Sequence, residues 1–171
     1  MATTAKPGRA HDVEVVWAMP APAPRLARGT ISGPAQPGAI PSITDLTNLA
    51  RGIATEINFE RAALRLQRDA ARLANAVEAV CVVFDWPRRA AWTVRGAINN
   101  ESVKELVAEV AGSGRRSVVG NALLQPIGPA PARAVLALRK PPGATFTIAE
   151  ISMISVLTDG LASSINRLVT R

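Results

Sequence analysis

The sequence predicts an α+β fold, an antiparallel sheet of about five strands sandwiched by helices, with long helices near its N- and C-terminal ends. Three observations carry this. Apolar residues recur at helical spacing in some segments and as short β-branched runs in others. The order along the chain is helix, helix, strand, strand, helix, three strands, helix. Strands with so few helices between them suit antiparallel pairing, not a doubly wound sheet. The third observation is the closing stretch, FTIAEISMISVLTDGLASSINRLV from Phe146 to Val169, an apolar-striped helix with a strongly specified start.

Residues 1–41 differ from the rest. They hold Pro7, Pro20, Pro22, Pro24, Pro34, Pro37 and Pro41 with several glycines. Such a segment holds no regular helix and buries little, so it is expected to be a mostly disordered N-terminal arm. Within it, Val13-Glu14-Val15-Val16-Trp17 alternates like a short strand. The alternative reading is a peptide that docks on a sheet edge, its own or a partner's. The folded domain is placed at 42–171.

Ser42 and Asp45 form a capping box, and Ile43, Leu46, Leu49, Ile53 and Ile57 follow as one apolar stripe. Asn58 either ends this helix or caps the next, whose stripe is Phe59, Ala63, Leu66, Ala70, Leu73 and Val77. One kinked helix fits the pattern as well. Val80 to Phe84 is apolar on both faces, as a covered central strand is. Asp85 to Arg89 carries turn chemistry, and Ala91 to Arg95 returns as a second strand. Ser102 and Glu105 form another capping box, opening a helix that Gly112 is expected to stop.

Strands are expected at Arg116 to Val119, Ala122 to Ile127 and Ala134 to Arg139, the last two as a hairpin around Gly128-Pro129-Ala130-Pro131. Pro141-Pro142-Gly143 breaks the chain before the last helix. Thr147 caps that helix, Glu150 completes a capping box, and Phe146 with Ile151 is placed for a hydrophobic staple.

The 171 residues are enough for one domain with a real core. Apolar runs such as Ala79 to Phe84 are far too short to span a bilayer, and no membrane association is expected. The single cysteine, Cys81, excludes an internal disulfide and suggests a reducing, cytoplasmic setting. The net charge of +7 comes almost wholly from arginine, since the only lysines are Lys6, Lys104 and Lys140. A basic balance suits an acidic partner or nucleic acid.

The strand ALLQPIG, a turn, the strand AVLALRK and then GATFTIAEISMISVLTDGLASSI resemble the closing signature of a GAF domain. The block RLANAVEAVCVVFD is similar to that family's entry into its first strand. The resemblance covers roughly Leu46 to Leu168. A roadblock-type fold has a similar strand–helix–strand order, but the extra N-terminal helices and the FT-x-x-E closing helix favour GAF. Both folds are typically regulatory and dimer-forming. The resemblance implies a pocket between the sheet and the helix from Val103 to Ala111, with Trp92, Arg95, Val107 and Gln125 nearest to it by strand position.

Little else points to chemistry. The only histidine, His11, lies in the arm, away from any triad on the domain. No His and Cys spacing suits a metal, and no cofactor is expected. Cys81 reads as a buried core residue. Methionine sulfoxide reductases of GAF type use several cysteines, bilin-binding members attach their pigment elsewhere in the fold, and the cyclic-nucleotide motif is not found here. Gly112 to Gly120 follows a helix and precedes a strand, the reverse of a phosphate loop.

Arg61, Arg65, Arg68 and Arg72 fall in one sector of the second helix, opposite its apolar stripe. They read either as a solvated face or as a contact surface for an acidic partner or a phosphate backbone. Trp86, Arg88 and Arg89 form a smaller candidate contact. The stripe Ile43, Leu46, Leu49, Ile53, Ile57 has no obvious partner within one chain, so a homodimer seam is expected there, beside the C-terminal helix; the competing reading is that this helix folds back and completes a monomer core. The functional expectation is a non-catalytic regulatory or scaffold protein of bacterial signal transduction, acting through dimerisation and protein contacts. The alternatives are a sensor of a nucleotide-like small molecule and a nucleic-acid binder.

Overall fold

A computed structural model describes residues 40–169. The arm, Val13 to Trp17 included, lies outside the described residues. The elements are α1 (Ile43–Ala54), α2 (Phe59–Ala74), β1 (Glu78–Asp85), β2 (Ala90–Thr93), α3 (Glu101–Ser113), β3 (Ser117–Val119), β4 (Ala122–Ile127), β5 (Ala134–Arg139) and α4 (Ile148–Val169). The five strands make one sheet in the order β2-β1-β5-β4-β3, and every pairing is antiparallel.

Local chemistry sets most boundaries. Ser42 Oγ accepts from the Asp45 amide at 3.1 Å, and the Asp45 carboxylate accepts from the Ser42 amide at 3.3 Å. Asn58 caps α2, so α1 and α2 are two helices. The left-handed Asn75 (φ 50°) ends α2, the cap that glycine or asparagine most readily supplies. In α3 the expected boundaries shift. Asn100, not Ser102, is the N-cap: its side chain accepts from the Ser102 amide at 3.0 Å. The helix runs past Gly112 and stops at Gly114, which takes the left-handed φ of 66°. Of the two glycines, only the second meets that backbone requirement.

Strand alternation divides the core. Cys81, Leu123, Leu136 and Leu138 face one layer with Leu66 of α2 and Ile154, Leu157 and Leu161 of α4. Val80, Val82, Leu124, Val135 and Ala137 face the other, where α3 supplies Val107, Val110 and Ala111. Each fully buried Leu or Ile adds about 1.5–3 kcal/mol. Pro126 sits in β4 beyond the reach of β3, whose pairing ends at Leu124. There β4 is an edge, where a residue without N–H is tolerated.

α4 is the one described helix long and apolar enough to cross a membrane, with a mean hydropathy of 1.3 over Ile148–Ile165. One side of it packs into the core, where Ile154, Leu157 and Leu161 are inaccessible to solvent. The start of α4 is as the sequence predicts. Glu150 accepts from the Thr147 amide at 2.8 Å, and Thr147 Oγ1 accepts from the Glu150 amide at 3.2 Å. The same carboxylate takes two bonds from Lys140 Nζ, at 2.6 and 2.8 Å. Lys140, buried at the end of β5, also lies 5.1 Å from the Phe146 ring centre. One ion pair thus fastens the helix start to the sheet.

The helix α1 packs on α4 and, to a lesser degree, on α2. Ile53 is fully buried, and Leu46 and Leu49 pack against the same core. The stripe expected to form a dimer seam is therefore satisfied largely inside one chain. Ile43 and Ile57, its two ends, are exposed.

Candidate functional site

The outer face of α2 gathers positive charge. The helix buries Ala62, Ala63, Leu66 and Ala70, which turns Arg61, Arg65, Arg68 and Arg72 away from the core. The four are not equivalent. Arg65 Nη1 donates to the Gly52 carbonyl at 3.3 Å and to Glu56 at 3.2 Å, and its Nε lies 3.8 Å from Asp69. Its guanidinium lies over Gly52, where a side chain on α1 would clash with it. Arg65 therefore clasps α2 to the end of α1. Arg68 stays largely exposed while pairing with the buried Asp69 at 3.2 Å. Arg61 and Arg72 are exposed and make no ion pair among the described residues.

Arg95 joins this face. Its carbonyl accepts from the buried Gln67 of α2 at 3.5 Å, which holds the segment after β2 against the helix. Arg61, Arg65, Arg68 and Arg95 then border an open concavity of about 910 Å³, in which Glu56 is the only lining carboxylate. A surface of this kind draws acidic groups through its field and offers paired N–H donors to a carboxylate or phosphate. The sequence reveals the α2 stripe through its spacing. It gives no sign of Arg95, which a different element brings in.

The four residues expected to line a ligand pocket do not meet. Val107 is fully buried among Val80, Val82 and Leu124, in a filled seam between sheet and α3. Trp92 pairs with Val83, and Gln125 with Leu136, so both side chains fall on the opposite face of the sheet. Arg95 is part of the α2 surface.

Trp86, Arg88 and Arg89 do share the β1–β2 turn. Trp86 is half-buried, stacks on Phe84 with ring centres 5.3 Å apart, and donates from Nε1 to the Ala132 carbonyl at 2.9 Å. Its work is to brace the β4–β5 loop. Arg88 pairs with Asp85 at 3.4 Å and, like Arg89, is exposed. Beside this turn lies a groove of about 770 Å³ at the end of the sheet, between Phe59, Trp92, Ile127, Arg133 and Ile165. No local sequence signal marks it, because its walls come from α2, both strand connections and α4.

Cys81 is fully buried, and burial pushes its thiol up to about 12. A thiol so protonated is a poor nucleophile. Among the described residues no three His, Cys, Asp or Glu side chains cluster as a metal ion would require.

No family model matches the sequence, and no curated protein sequence is similar to it. Among solved structures, the fold is similar to the GAF domain of a phosphoenolpyruvate-protein phosphotransferase from Acinetobacter. The TM-score is 0.61 at 13% identity, covering 76% of this chain and 97% of that one. The fold is GAF-like.

Proposed function

We propose that this GAF-like domain is a non-catalytic regulatory module of bacterial signal transduction in the cytoplasm, and that it acts by binding an acidic protein partner. The observation that carries the reading is the basic face of α2. Arg61, Arg68 and Arg72 project from one side of a rigid helix, and Arg95 is held beside them through the Gln67 bond. The planar arginine fork is pre-organised and pairs bidentately with carboxylates, so less freedom is lost per hydrogen bond formed. The high pKa of Cys81 and the filled seam under α3 favour contact over thiol chemistry or a ligand in that seam.

The test is charge reversal in the full chain at Arg61, Arg72 and Arg95, leaving the Arg65 clasp and the Arg68–Asp69 pair intact. The expected result is loss of binding to an acidic peptide and of the partner captured from native cytoplasm, with thermal unfolding unchanged. Duplex DNA bound more tightly than the peptide, with a steep salt dependence, would instead support the nucleic-acid reading. Equal binding by the reversed variant would refute the surface.

A further inference from the structure

We propose that the segment Val13–Trp17 of this same chain docks in the groove at the end of the sheet. The groove measures about 770 Å³, within the size range of clefts that hold a ligand or a few side chains. Phe59, Val83, Trp92, Ile127 and Ile165 supply apolar lining. Trp92 is 39% exposed, an aromatic left in water beside an apolar hollow. Such a surface calls for an apolar occupant.

The occupant is indicated by what residues 1–39 contain. Val13 to Trp17 is the one run there in which β-branched and aromatic residues cluster. In an extended chain Val13, Val15 and Trp17 share a side, and Asp12, Glu14 and Val16 share the other. Asp12 and Glu14 are also the only acidic residues of 1–39. The groove borders are basic. Asp85 and Arg133 line it, Asp85 is paired with Arg88 of the adjoining turn at 3.4 Å, and Arg89 and Arg133 make no ion pair among the described residues, so the excess charge at the border is positive. Apolar side chains and sign of charge thus match together.

Reach is sufficient. Residues 18–39 extend to roughly 70 Å at full stretch. Even coil statistics for that length give about 25 Å, against about 18 Å for the length of α1. A tethered segment meets its groove at an effective concentration of order millimolar. It also avoids much of the association entropy that a separate peptide must overcome. The chain's own segment therefore has the advantage over a foreign peptide of the same chemistry.

The experiment is paramagnetic broadening on the full chain. A nitroxide is attached at Ala18→Cys, and Cys81 does not compete because it is buried. The expected result is loss of more than half the amide signal between Val83 and Trp92 and between Ile127 and Arg133. Val15→Asp with Trp17→Ser should restore those signals, and the spectrum itself reports that the domain remains folded. Full intensity at these amides in the labelled chain would overturn the proposal, as would broadening that survives the double substitution. Broadening seen only on unlabelled chains mixed with labelled ones would assign the groove to a second copy, and the proposal would likewise fall.

Discussion

A Cβ placed on Gly160 of α4 would lie 2.5 Å from the carbonyl oxygen of Ala50 on α1. The two helices cross where only hydrogen fits, and the atom in the way is backbone. Gly160→Ala in an open helix should stabilise by about 1 kcal/mol. Here α1 must shift, so the substitution should destabilise by roughly 1–3 kcal/mol, as overpacking does. Urea unfolding measures the sign, and a stabilised variant would show that α1 does not sit against α4.

The same crossing determines what Leu49→Asp does. Leu49 is half-buried against the core of its own chain, so a carboxylate placed there weakens the monomer. The unfolding midpoint should fall by the same amount at low and high protein concentration. A loss that shrinks as concentration rises would restore the stripe as a seam between chains.

Glu150 yields a pH prediction. Burial opposes its charged form, but hydrogen bonds from Lys140 and Thr147 together with the Lys140 charge outweigh this and hold the carboxyl below its ordinary value. A carboxyl depressed in the folded state adds stability that is fully present above the unfolded value near 4.3. That contribution is lost as pH falls through the lower folded value. Glu150→Gln should therefore flatten the acid limb of the stability curve and lower stability at pH 7. Identical acid limbs for both proteins would contradict the ion pair.

Cys81 should resist alkylation in the native state at pH 8, since burial both shields it and keeps it protonated. In denaturant it should react at the rate of a free thiol. Rapid native labelling would mean that the β1 layer opens readily.

The sequence by itself determined the element order, the antiparallel class and the starts of α1 and α4. Those features depend on neighbours a few residues apart. Ser42 with Asp45, and Thr147 with Glu150, satisfy helix ends regardless of the rest of the chain. At α3 the expected capping box at Ser102 gives way to Asn100, whose side chain takes the Ser102 amide. Tertiary structure decided which faces meet. Strand parity separates Trp92 and Gln125 from Val107, and parity relative to a helix depends on pairing register, which no local pattern records. The α1 stripe reads as unpartnered because its partner includes a glycine, Gly160, whose contribution is the absence of a side chain. The α2 arginines are visible in the sequence as a row. Their division into a clasp at Arg65 and a free face that includes Arg95 depends on Gly52, Glu56 and Gln67, residues brought beside them only by folding.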